Sequence, residues 1–148
     1  MLIETLKALF TRDLKKLQTE VELYKKEEHL WKIEGSIANS AGNLCLHLVG
    51  NLNTYIGKEL GKTDYIRNRE LEFSLKDVPR EELLNMIDNT IEVVNYSLDS
   101  LDEGALANEY PVVVFEQKTS TEYLLVHLAT HLTYHLGQVN YHRRLIDI

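Results

Sequence analysis

Three histidines at four-residue spacing lie near the C-terminal end of the sequence and are its strongest chemical feature. They are His127, His131 and His135, and a fourth histidine, His47, stands alone far upstream. Side chains at positions i and i+4 lie on one face of an α-helix, so two of these imidazoles can share one ion. A third imidazole from another helix would still leave coordination positions open, as in catalytic rather than structural zinc sites. The spacing therefore predicts a metal site that a substrate can reach.

The C-terminal histidines form two overlapping His-x-x-x-His pairs, and spacing does not choose between them. His127 and His135 would lie about 12 Å apart along a helix, too far to share an ion readily. The pair is therefore His127 with His131, or His131 with His135. The other two histidines, His29 and His142, neighbour charged residues and are expected on the solvated surface.

Apolar residues recur with helical period along four long segments, which predicts four helices. The segments run from Ile3 to Tyr24, from a cap at Asn39 or Ser40 to about 57–61, from a cap at Asp77 to Leu101, and from a possible capping box at 119–122 to Leu145. Such helices predict an all-α protein, a four-helix bundle formed as one domain over residues 1–148. The longer connections, 60–76 and 102–118, are expected to cover one mouth of this bundle, with residues 111–115 extended.

The candidate ligands lie beside the apolar faces of two of these helices. On the last helix, the three histidines border an arc of leucines, with Tyr134 and Gln138 close enough to orient a ligand. On the second helix, His47 lies at the edge of the apolar arc, with Asn43 and Asn51 one turn to either side. Packing of these two helices would bring the imidazoles together in a pocket.

Composition excludes several classes of function. The net charge of −7 disfavours nucleic-acid binding, which depends on Lys and Arg neutralising phosphates. No apolar run approaches the roughly 20 residues that span a bilayer, and no secretory signal begins the chain. The single cysteine, Cys45, rules out an internal disulfide and is expected to be buried and inert. A cytoplasmic protein is expected.

Two familiar metalloprotein chemistries also conflict with the sequence. A zincin needs Glu directly after the first histidine of its motif, but Leu128 and Leu132 occupy those positions. Carboxylate di-iron bundles need Glu-x-x-His motifs on facing helices, and neither Glu116 nor Glu122 has a histidine three residues later.

Two segments of the sequence resemble the DinB-like (DinB/YfiT-like) superfamily of metalloenzymes. They are Asn43–Asn51, which contains His47, and His131–Gln138, which reads H-x-x-Y-H-x-G-Q. With Trp31 and the number of helices, the resemblance extends over nearly the whole chain. It implies a four-helix bundle in an up-down-down-up arrangement and a homodimer.

The resemblance also implies a ligand set and a cofactor. The divalent metal, reported in relatives as nickel, zinc or iron, would be held by His47, His131 and His135. His127 would then line the pocket or support the ligands from behind, with Tyr134, Gln138 and Asn51 as further pocket residues. Leu136 departs from the many relatives that carry Arg after the second histidine, which removes a possible contact to an anion.

Characterised relatives suggest a thiol-dependent S-transferase that activates a low-molecular-weight thiol, such as bacillithiol or mycothiol, at the metal. A hydrolase that uses a metal-bound water is the nearest alternative, and a dimeric bundle that binds metal without turnover is another. The sequence reveals no general base, so the catalytic residues stay unassigned.

Overall fold

The computed structural model describes residues 1–148 and contains helices and no strand, which confirms the all-α fold class. Its α-helices are α1 (Leu2–Leu23), α2 (Ala41–Leu52), α3 (Arg69–Ser74), α4 (Arg80–Asp99) and α5 (Thr121–Ile146). A π-helical turn, Asn53–Lys58, continues α2, and 3-10 turns occupy Glu27–Trp31 and Glu103–Ala107. The four long segments expected from periodicity are therefore helical, and α3 is an addition within the connection that follows α2.

One apolar core is shared by the four long helices. Helix α1 packs against α4 and α5, and α2 packs against α3, α4 and α5. The core includes fully buried residues from every long helix, among them Phe10, Leu14, Leu48, Leu52, Leu83, Ile87, Leu124 and Leu125. The two helices that carry the candidate ligands, α2 and α5, are thus direct neighbours. None of the helices is both long enough and apolar enough to cross a membrane.

Serine hydroxyls cap the two ligand-bearing helices. Ser40 precedes α2, and its Oγ accepts a hydrogen bond from the backbone N–H of Asn43 at 3.2 Å, which confirms the predicted start. Ser120 caps α5 in the same way, through the N–H of Tyr123 at 3.1 Å. The capping box predicted at 119–122 is wrong by one residue, since the cap is Ser120 and not Thr119. The third helical position is then Tyr123, whose side chain cannot accept a hydrogen bond from the backbone N–H of the cap as a Glu side chain would.

Helix α4 starts later than the sequence suggested. Asp77 does not cap it, since α4 begins at Arg80 after Pro79, with no side-chain cap. Proline disfavours the helical conformation in the residue before it, here Val78, so the helix cannot extend back to position 77. Asp77 itself has a positive φ of 59° and lies in the irregular segment between α3 and α4.

The two longer connections differ in how they pack. The segment after α2 carries α3 back onto α2. The segment after α4 forms the 3-10 turn and a single antiparallel bridge between Glu109 and Ser120. Residues 111–115, predicted to be extended because of their valines, form no strand, since no neighbouring strand is present to pair with them.

Candidate metal centre

Three imidazole nitrogens converge between α2 and α5. Nε2 of His131 lies 3.3 Å from Nε2 of His47 and 3.1 Å from Nε2 of His135. The ligand atoms of the three histidines all lie within 4.8 Å of one another. Two nitrogens bound at about 2.0–2.1 Å to a tetrahedral zinc ion would be about 3.3 Å apart. The group could therefore hold a divalent metal ion with little rearrangement.

The helices explain this convergence. His131 and His135 are one turn apart on α5, and their rings meet edge to face with centroids 4.5 Å apart. His47 reaches them from α2, its ring centroid 5.2 Å from that of His131. Leu128 and Leu132, on either side of His131 along the core face of α5, are buried. The ring nitrogens thus meet at the border between core and surface, as the apolar arcs predicted.

The ring of His47 is oriented by a carboxylate that sequence reasoning missed. Oε1 of Glu72, on α3, lies 3.1 Å from Nδ1 of His47. An ionised carboxylate only accepts hydrogen bonds, so Nδ1 carries the proton and Nε2 presents its lone pair to the other histidines. Arg67 donates to both oxygens of Glu72, through Nε at 2.8 Å and Nη2 at 3.0 Å. His47 and Glu72 are both buried.

A side-chain amide orients His135 in a similar way. Nδ1 of His135 lies 2.6 Å from Oε1 of Gln138 and donates a hydrogen bond to it, which leaves the lone pair of Nε2 free. Gln138 therefore contacts the ring of a candidate ligand, and its predicted role in orienting a bound ligand stays a prediction. Nδ1 of His131 is buried without a hydrogen-bond partner, so this ring is held by packing and by the contacts of its Nε2.

The environment of the centre favours neutral imidazoles, the form that binds metals. Burial, together with the neighbouring histidines, lowers the pKa of His131 to about 4. Burial also lowers the pKa of His47, although the Glu72 carboxylate acts in the opposite direction. Two of the three rings are thus held in the metal-binding form at neutral pH.

The remaining predicted pocket residues lie around the group. His127 is half-buried and lies outside the group of three histidines. Its ring is stacked on that of His131, with 6.1 Å between centroids, and meets the ring of Phe115 edge to face. Tyr134 is exposed, and its ring approaches His135 at 5.4 Å. Asn51 is buried, and its side-chain carbonyl oxygen has no hydrogen-bond partner. Of the two possible pairs on α5, the structure places His131 and His135 with His47.

His142 is buried, so its predicted surface position is wrong. Its Nε2 donates to the carbonyl oxygen of Lys32 at 2.7 Å, and its Nδ1 accepts from the Tyr24 hydroxyl, also at 2.7 Å. His142 follows buried Val139 by three residues and precedes buried Ile146 by four, so it lies on the core face of α5. The burial of His142 therefore follows from its place on the core face of α5, although two arginines follow it in sequence.

His29 is also less exposed than expected. Its Nδ1 lies 2.9 Å from Oδ1 of Asp147, and its side chain is 16% exposed. Asp147 also accepts from the backbone N–H groups of Lys25 and Lys26, at 2.6 and 3.2 Å. These contacts tie the end of α5 to the segment after α1, so His29 has a structural contact that its charged sequence neighbours did not indicate.

The single cysteine behaves as expected. Cys45 is fully buried on α2, and burial raises the pKa of its thiol to about 12. A thiol with this pKa stays protonated at neutral pH, so it is neither a nucleophile nor a metal ligand. The prediction of a buried, inert thiol is confirmed.

Comparison with protein families places nearly the whole chain in one family. A family model described as "Protein of unknown function (DUF1572)" matches residues 2–147. No curated protein matches the chain.

Proposed function

For this chain, which belongs to the DUF1572 family of the DinB/YfiT-like group, we propose the function of a metal-dependent thiol S-transferase. His47, His131 and His135 would hold a divalent ion of zinc, nickel or iron. The observation that carries the proposal is the convergence of three Nε2 atoms from two helices, with spacings of 3.1 and 3.3 Å. Three neutral nitrogen donors suit these metals and leave coordination positions for a substrate.

The chain's own residues supply the binding and orientation that such a site needs. Glu72 and Gln138 accept hydrogen bonds from Nδ1–H of His47 and His135, so both rings offer Nε2 to an ion. A bound divalent ion would lower the pKa of a thiol or water placed on it and so generate a nucleophile at neutral pH. The buried leucines beside His131 limit access of water from the core side.

Thiol activation fits this site better than water activation. A free thiol has a pKa of about 8.5, whereas bulk water has a pKa of about 15.7. A thiol therefore loses its proton at a metal with less help from a general base, and neither the sequence nor the contacts assign such a base. Hydrolysis and metal binding without turnover are the alternatives that the experiment below distinguishes.

Two histidines of α5 provide a matched pair of variants for the metal itself. His131→Ala removes the ligand at the centre of the group, whereas His127→Ala removes a neighbouring imidazole outside it. We expect elemental analysis to find one metal ion per chain in the wild type and in His127→Ala, and almost none in His131→Ala. Full metal content in folded His131→Ala would contradict the proposed site.

The cobalt-loaded wild type tests the reaction class. Titration with 2-mercaptoethanol and with cysteine should produce a sulfur-to-cobalt charge-transfer band in the near ultraviolet. Thiol-independent spectra in a fully loaded protein would contradict S-transfer and leave hydrolysis or metal binding without turnover. Release of product from an ester substrate, with no response to thiols, would identify the hydrolase.

We infer further that the four long helices form an up-down-down-up bundle and that the chain forms a homodimer. The bundle is supported by the packing of α1 and α2 against both α4 and α5. The dimer is supported by exposed large side chains on α5, namely Tyr134, Tyr141 and Leu145, each at least 60% exposed. Sedimentation equilibrium tests the dimer, and a purely monomeric protein at micromolar concentration would exclude it. The cytoplasmic location stays a prediction.

A further inference from the structure

We propose that Glu72 is a positioning residue of the metal centre and that its carboxylate, held by Arg67, sets the affinity for the ion through His47. This inference rests on the proposed metal site, but it concerns a residue that is no ligand itself. Glu72 lies on α3, outside both helices that carry the three histidines. Helix α3 is then part of the metal centre and not merely a connection.

The contacts of Glu72 leave its carboxylate little freedom. One oxygen, Oε1, contacts both His47 Nδ1 at 3.1 Å and Arg67 Nη2 at 3.0 Å, and Oε2 accepts from Arg67 Nε at 2.8 Å. The side chains of Glu72 and Arg67 are 6% and 14% exposed. A buried carboxylate needs such a partner, because its desolvation is otherwise costly. Arg67 thus holds the Glu72 carboxylate in place, and the carboxylate accepts a hydrogen bond from Nδ1–H of His47.

The backbone of α3 is fixed from the same face of α2 that carries His47. Asn43, one turn before His47, donates through Nδ2 to the carbonyl oxygens of Glu72 at 2.9 Å and Leu75 at 2.8 Å. The ring of Phe73 packs against the imidazole of His47, with centroids 5.0 Å apart. One face of α2 therefore holds both the ligand and the element that orients it.

A purely structural ion pair and a positioning carboxylate predict different results when both charges are removed. Replacing a buried ion pair by apolar residues of similar size is often neutral or stabilising. The double variant Glu72→Met/Arg67→Met should therefore fold, but Nδ1 of His47 would lose its acceptor. Loss of the group that orients a metal-bound histidine typically lowers metal affinity 10- to 100-fold.

We would measure zinc affinity by competition with a chromophoric chelator, and folding by far-ultraviolet circular dichroism. We expect a 10- to 100-fold loss of affinity in the double variant and a smaller loss in Glu72→Gln. In that conservative variant, the amide oxygen can take the place of Oε1 beside His47, which rescues the hydrogen bond without the charge. Wild-type affinity in the folded double variant would overturn the proposal. If the double variant does not fold, equal or weaker binding by Glu72→Gln than by Glu72→Met would also overturn it.

A second readout separates this inference from the proposed function. Nitrogen-15 NMR of the metal-free protein reports which ring nitrogen of His47 carries the proton. We expect the Nδ1–H form in the wild type and mainly the Nε2–H form in the double variant. An unchanged tautomer would overturn the role of Glu72. A wild type that binds no zinc, but shows this tautomer change, would contradict the metal site and not the orienting contact.

Discussion

Replacement of Gly50 by alanine should weaken metal binding, although Gly50 is not one of the proposed ligands. Gly50 lies within α2, and a Cβ at this position would be 1.9 Å from Oε2 of Glu72 and 2.6 Å from its Cδ. Real side chains do not approach so closely, so the carboxylate would have to move. It cannot move and keep its bonds, because both of its oxygens are engaged by Arg67 and one of them by His47.

The expected magnitudes follow from these contacts. Breaking a buried ion pair by loss of one partner lowers the free energy of unfolding by about 3–5 kcal/mol. Replacing Gly by Ala within a helix raises it by about 1 kcal/mol. The net loss of stability is thus about 2–4 kcal/mol. Displacement of Glu72 also removes the acceptor of His47, so metal affinity should fall 10- to 100-fold, or about 1.4–2.7 kcal/mol.

Gly137 offers a matched control on α5, two residues after the ligand His135. A Cβ at Gly137 would meet no atom within 4 Å. Gly137→Ala should therefore raise the stability by up to about 1 kcal/mol and leave metal affinity unchanged. Urea unfolding in the presence of a chelator gives the stability, and chelator competition gives the affinity. If Gly50→Ala had the stability and the metal affinity of the wild type, the reasoning would be refuted, since Glu72 would then not lie against Gly50.

Two further predictions concern titration and the buried histidine of α5. Because the pKa of His131 falls from 6.5 to about 4 on folding, and that of His47 also falls, the unfolded chain binds more protons between these values. The free energy of unfolding of the metal-free protein should fall as the pH drops from about 6.5 to about 4, and it should fall less steeply in His131→Ala. Urea unfolding at several pH values measures this dependence, and the same slope against pH in both proteins would contradict the prediction. Tyr24→Phe should cost about 1–3 kcal/mol, because Nδ1 of His142 then lacks its donor. A thermal midpoint equal to that of the wild type would exclude this contribution.

Much of the candidate site could be predicted from the sequence. Residues four apart on a helix must share a face, so the pairing of His131 with a neighbouring histidine follows from local geometry. The apolar arcs of the second and last helices also placed His47 and the C-terminal histidines at the edge of the core. The resemblance to the DinB-like superfamily selected His135 over His127, and the structure brings the same three histidines together.

The errors have two physical causes. The predictions for His29 and His142 relied on charged neighbours in sequence, but burial is decided by the face of the element on which a residue lies. The observed caps of α4 and α5 lie two residues and one residue after the expected ones, because the exact cap depends on local backbone geometry.

The sequence by itself determined the features that depend on neighbours within one helix: the helical class, the i, i+4 pair of imidazoles and the apolar faces. The tertiary structure decided the features that join distant segments. Glu72 lies 25 residues from His47, and no spacing rule relates them, because only the folding of α3 onto α2 brings the carboxylate to the ring. Local periodicity thus places the imidazoles on their helices, whereas the orientation of their rings comes from packing between elements.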